Sequence, residues 1–246
     1  MGIERTGLDF IIHTRSFFLF SFWLRTIYAV NPVSTPIDFE TGNPLFMIPL
    51  IEFTAVVVCA LYGILRAGRK QLDFVGVAAV AFAVAFGGGT LRDLFLDRHP
   101  LFWIANAHYP VWVFFIALFG SLVPRVVARF EKYLVLPDAL GLGLFSIVGT
   151  AYALESNTSW FVASLLGVIT GTAGGVIADV LCNEIPSLFR VSPLYATCSF
   201  FGSWVYILSA ALGLPPVLHT GAGIAATVAL RLLAVRFNIS LPATKP

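Results

Sequence analysis

Charge is scarce in this 246-residue chain. Asp, Glu, Lys and Arg together make up 11% of it, where a soluble domain carries about a quarter. With 58% hydrophobic residues and a mean hydropathy of +0.89, a soluble globular fold is excluded. An excess of one sign is also missing: 15 basic residues stand against 13 acidic ones, a net charge of +2. Without a basic stripe, nucleic acid is set aside as a partner. Cys59, Cys182 and Cys198 form no CxxC pair and lie in apolar surroundings, so neither a disulfide framework nor a zinc site is indicated. The four histidines lack metal-ligand spacing. There is no Gly-Lys-Ser/Thr phosphate loop and no nucleophile–base arrangement. The chain therefore reads as a non-enzyme without a cofactor.

What is present is a series of apolar runs. A helix needs roughly 20 apolar residues to span a bilayer, and seven candidates qualify: 45–66, 73–96, 109–130, 134–154, 159–181, 193–213 and 216–236. The runs lack the alternation of a membrane barrel, and an open strand edge in hydrocarbon leaves backbone groups unpaired. The expected fold class is an all-α membrane protein of seven transmembrane helices. Basic residues are retained on the cytoplasmic side. Arg66, Arg69 and Lys70 follow the first span, Arg125, Arg129 and Lys132 the third, Arg190 the fifth, and Arg231 and Arg236 end the seventh. This places the N-terminus outside and the C-terminus in the cytoplasm of a cell (inner) membrane. Arg92 and Arg98 fall on the nominally outer side, but Asp93 and Asp97 accompany them.

Residues 1–44 form an N-terminal extension. Phe17 to Leu24 is apolar but bracketed by Arg15 and Arg25, too short for a span. An interfacial amphipathic helix, a degenerate signal sequence and an extension without a defined role all fit. Asn31 to Pro44 reads as a Pro-rich linker.

The chain matches itself at a constant offset of 86 residues. Gly88-Gly89 falls on Gly174-Gly175, Asp93 on Asp179, Pro100 on Pro186, Tyr109 on Tyr195, Gly63 on Gly149 and Glu52 on Asp138. The organisation read from this is repeat 1 over 45–130, repeat 2 over 131–215, and a seventh span with a cytoplasmic tail over 216–246. Each repeat holds three spans, an odd number, so the second enters the membrane from the opposite side. Such inverted repeats place solute pathways near the midplane where interrupted helices meet.

The sharpest local feature is Gly87-Gly88-Gly89-Thr90-Leu91-Arg92-Asp93, echoed by Gly171-Thr172-Ala173-Gly174-Gly175 and Asp179. Each glycine costs a helix about 1 kcal/mol relative to alanine, so such runs favour a kink or local unwinding whose freed carbonyls face a cation or water. Alternatively, the glycines let helices approach closely. A carboxylate near hydrocarbon is a functional-site candidate, which singles out Asp93 and Asp179; a structural ion pair or helix-end cap is the other reading. Arg92 is a candidate partner for Asp93, although neighbours on a helix point about 100° apart and a partner on another helix is favoured. Glu52 and Asp138 sit near the starts of spans one and four, where they serve either as cation-attracting charges at two mouths of one pathway or as first-turn residues favoured by the helix dipole.

The run Gly87 to Leu96 followed by His99-Pro100-Leu101-Phe102-Trp103 resembles the hallmark of a bacterial family commonly labelled a glycine transporter domain protein. That family resembles in turn the prokaryotic trimeric intracellular cation channels. Ala173 to Pro186 looks like the matching second motif, and the resemblance covers about residues 45–236. It implies a homotrimer in the lipid bilayer, an hourglass pore in each protomer, the second and fifth helices kinked at their glycines, and passage of monovalent cations, chiefly potassium (K+). The family label points instead to glycine as substrate. Ala173 and Ala178 stand where the family usually has glycine and arginine.

Overall fold

The computed structural model describes residues 44–70 and 72–242. The expectations for residues 1–43 lie outside the described residues. Among those described, nine α-helices follow one another: α1 (Pro44–Gly68), α2 (Phe74–Phe95), α3 (Phe102–Ala105), α4 (His108–Leu122), α5 (Pro124–Phe130), α6 (Val135–Glu155), α7 (Trp160–Leu181), α8 (Ala196–Ala211) and α9 (Pro216–Arg236).

Five of them are long and apolar enough to cross a membrane: Met47–Gly68 within α1, and α2, α6, α7 and α9. Their bounds lie close to five of the expected spans. The expected span at 109–130 is not one continuous helix. It breaks between α4 and α5, which meet at a 98° bend. Pro124 causes the break, because it has no backbone N–H and restricts the residue before it. The 15 residues of α4 rise about 22 Å, short of the roughly 30 Å of a hydrocarbon core. The expected span at 193–213 is shortened likewise, to the 16 residues of α8.

The helix ends are locally encoded. Asp73 caps α2 by accepting from the Gly76 N–H at 2.8 Å, and Ser159 caps α7. Both helices stop in the same way. Asp97 (φ 51°) and Asn183 (φ 54°) take left-handed backbone just past the ends, where Asp and Asn are tolerated. The Arg98 and Glu184 N–H groups then donate back to the carbonyls of Asp93 and Asp179, each at 2.8 Å.

Two kinds of core hold the bundle. Around α1, α2 and α4 it is apolar, with Val56, Ala60, Ala81, Val84, Phe86, Val113 and Ala117 buried. Between α6 and α8 it is hydroxylic: the Ser146 and Ser199 hydroxyls lie 2.6 Å apart, and Thr150 donates to Ser203 at 2.9 Å. Small polar residues of this kind join helices where lipid removes the hydrophobic drive for association. Outward-facing Val75, Phe95, Trp112, Phe119, Phe161 and Val217 leave an apolar periphery, as a lipid-facing surface requires.

Candidate functional site

The two glycine motifs meet. Helices α2 and α7 cross with their backbones in contact. A Cβ added to Gly88 falls on the Thr170 carbonyl oxygen, and one added to Gly174 stands 2.5 Å from that of Val84. Moving from 84 to 88 along α2 runs from 174 to 170 along α7, so the crossing is antiparallel. Gly87 lies under Ile177, Gly89 under the Phe102 ring, and Gly171 faces the Leu142 carbonyl, 3.0 Å from where its Cβ would be. Gly175 is looser, its nearest neighbour the Tyr195 hydroxyl at 3.2 Å. Thr90 accepts from Trp103 Nε1 at 3.1 Å. Both helices run unbroken through their glycines, so the expected local unwinding is absent. The close-approach reading describes the observed geometry: removing side chains lets two backbones touch.

The candidate carboxylates fall into two clusters and a separate Asp138 pair. In the first, Arg92 of α2 is fully buried. Its Nε donates to Asp93 Oδ1 at 2.8 Å and its Nη1 to Glu52 Oε1 at 2.7 Å. Arg92 thus pairs both with its helix neighbour and with another helix, because the long guanidinium arm folds back on Asp93 and still reaches Glu52 of α1. Asp93 Oδ2 accepts from the Phe102 N–H at 2.7 Å. Tyr152 of α6 lies between two cations, with Arg92 Cζ 4.4 Å and Arg98 Cζ 4.0 Å from its ring centroid.

In the second cluster Asp179 of α7 pairs with Arg66 of α1 and accepts from the Ser187 N–H at 2.9 Å. Arg66 also donates to Glu184 Oε2 at 2.6 Å and to the Tyr62 hydroxyl at 3.3 Å, while Lys70 reaches Glu184 at 2.8 Å. Outside the spans, the hydrogen bond from Lys70 holds the Glu184 carboxyl below its ordinary range, and the Arg66 charge adds to this against partial burial. Asp138 accepts from Arg231 Nη2 at 3.0 Å and from the Tyr195 hydroxyl at 3.2 Å.

Glu52 and Asp138 are therefore not open charges at two mouths, since each is buried and paired with an arginine. Nor is Glu52 a first-turn residue, for it lies in the third turn of α1; Asp138 does occupy the first turn of α6. Sequence reasoning missed Arg66 and Arg231 as partners, having counted them as topology signals. Tyr195 carried a signal in its match to Tyr109. Beside the crossing is a cavity of about 10 Å³, walled by Cys59, Tyr62, Asp138, Gly171, Gly174 and Tyr195 among others, room for about one water.

A family model described as glycine transporter matches residues 49–125 and 135–211. These stretches are equally long and 86 residues apart. A UPF0126 membrane protein of Vibrio cholerae is 37% identical over 210 residues, 84% of this chain and 86% of the relative. The UPF0126 inner membrane protein YadS of Escherichia coli K12 is 32% identical over 194 residues, 78% of this chain and 93% of the relative. A trimeric intracellular cation channel orthologue from Rhodobacter sphaeroides superposes with a TM-score of 0.73 at 30% identity, covering 78% of this chain and 99% of that one.

Proposed function

This chain belongs to the glycine transporter (UPF0126) family of membrane proteins, and we propose that it is a passive channel for monovalent cations, chiefly potassium, with a pore in each protomer beside the α2/α7 crossing. The likeness to the Rhodobacter cation channel over nearly that protein's whole length supports the cation-channel class. The observation that carries the reading for this chain is the antiparallel glycine crossing, where Gly88 and Gly174 bring two backbones together beside a small cavity lined in part by Tyr62, Asp138 and Tyr195.

The proposed architecture is two three-span repeats, 45–130 and 131–215, of opposite orientation, plus a seventh span. Counting the bent α4/α5 pair and α8 as spans gives seven. The 86-residue offset of the two family matches and the antiparallel sense of the crossing support inversion. Placement in an inner membrane with a cytoplasmic C-terminus is supported by the E. coli relative's name and by Lys and Arg at the odd-numbered span ends. A homotrimer is the assembly that the Rhodobacter relative's name supports.

Transport of glycine is the alternative suggested by the family's description. It would need an ammonium bound at Asp93 or Asp179, but both carboxylates hold an arginine. The channel reading is tested in planar bilayers under a KCl gradient. The current should reverse near the potassium equilibrium potential. Reversal near the chloride potential contradicts it.

A further inference from the structure

At the 86-residue offset Arg92 corresponds to Ala178, and Tyr152 corresponds to Arg66. In the first cluster the guanidinium sits at position 92, beside its carboxylate on the same helix, and the aromatic Tyr152 of α6 packs on it. In the second cluster position 178 is an alanine, and the place equivalent to Tyr152 holds Arg66, whose guanidinium pairs with Asp179. Each buried aspartate keeps a close arginine, with Arg98 a further 4.0 Å neighbour of Asp93, but the helix that carries the close arginine has changed.

Asp93 and Arg92 travel together on α2, whatever its neighbours do. Asp179 and Arg66 lie on different helices, so separating the ends of α1 and α7 breaks their pairing. The inner arginine of the second cluster is also the more exposed of the two, 12% at Arg66 against 1% at Arg92, although the outer members of both clusters, Lys70 at 35% and Arg98 at 37%, are alike. Arg66 is tied to the cavity as well, through its hydrogen bond to Tyr62, which shares the cavity wall with Cys59 and Asp138.

We propose that Arg66 is the residue that latches the second-repeat mouth of the pathway, closing it by joining α1 to Asp179 and Glu184 and neutralising both. Release opens a route to the cavity and leaves Asp179 uncompensated at the mouth, while Glu184 keeps Lys70, which favours cations. The proposal rests on the channel reading. It assigns the two mouths unequal roles, the Arg92 cluster as a fixed brace and the Arg66 cluster as the movable closure.

The test uses full-length protein in liposomes with Cys182→Ser and Cys198→Ser, so that Cys59 is the only thiol. Potassium flux and reaction of Cys59 with a charged, water-soluble methanethiosulfonate are both measured. Arg66→Gln should raise flux and Cys59 labelling several-fold. The double variant Arg66→Tyr/Ala178→Arg restores the first repeat's pairing and should return both towards the parent level. If Arg66→Gln does not fold, Glu184→Gln, which loosens the outer half of the latch, should raise labelling in its place. A conducting parent whose flux and labelling are unchanged in the variants overturns the latch. So does labelling raised equally in the single and double variants. A parent that carries no potassium but labels in the expected pattern contradicts the channel reading and leaves the latch supported.

Discussion

Gly88 of α2 and Thr170 of α7 touch through main chain: the hydrogen of one occupies the only space left by the carbonyl of the other. Gly174 repeats the arrangement against Val84, so the crossing has no tolerance for a side chain at either point. Gly88→Ala and Gly174→Ala should each cost at least about 1–3 kcal/mol, the usual range for overpacking, and reduce flux together with the thermal midpoint in detergent. Gly175→Ala meets only the end of the Tyr195 side chain and should change stability by less than about 1 kcal/mol. Equal effects at 88 and 175 would contradict the crossing.

The Arg92 cluster yields a ranking. Removing Arg92 strands the buried Glu52 and leaves Asp93 only the distant Arg98 at 4.0 Å and the Phe102 N–H, whereas removing Glu52 leaves Arg92 still paired with Asp93. Arg92→Leu should cost about 3–5 kcal/mol or abolish folding, as expected for breaking a buried ion pair. Glu52→Leu should cost less, about 1.5–3 kcal/mol for one charged hydrogen bond. Thermal unfolding of the two variants checks the order.

Strong acid should loosen the second cluster through Glu184. Lys70, Arg66 and Arg190 hold the Glu184 carboxyl below its ordinary range, with Cys182 and Asp179 also near it. A depressed carboxyl stabilises the fold fully above its unfolded value, about 4.3, and that contribution is lost as pH falls through the lower folded value. The acid-induced drop in the thermal midpoint of the parent should therefore be smaller in Glu184→Gln.

The hydroxyl pairs between α6 and α8 should count for little individually. Ser199→Ala, which removes the contact with Ser146, should cost about 0.6 kcal/mol and no more than about 1.7 kcal/mol. Chemical denaturation in mixed micelles measures it.

Much of this molecule was legible from its sequence. Apolar runs located five long helices, and Gly88, Gly174 and the four carboxylates all lie at the crossing or in the clusters beside it. Pro124 was visible but was absorbed into a hydrophobic run, although its missing N–H and its restriction on Val123 predict the bend. The consequence of the glycines was open, because a run that permits unwinding equally permits close approach, and only the facing backbone of Thr170 decides. Arg66 and Arg231 were hidden for a different reason. A basic residue at a helix end looks the same whether it reaches headgroups or turns back to a buried carboxylate, and that choice depends on helices far away in sequence.

The central claim is passive cation conduction, and potassium flux into liposomes containing the purified protein, under an imposed diffusion potential, tests it most directly when labelled glycine uptake is followed on the same preparation. The account predicts fast, voltage-driven potassium flux without saturable glycine uptake. Saturable glycine uptake with negligible uncoupled potassium flux would contradict it.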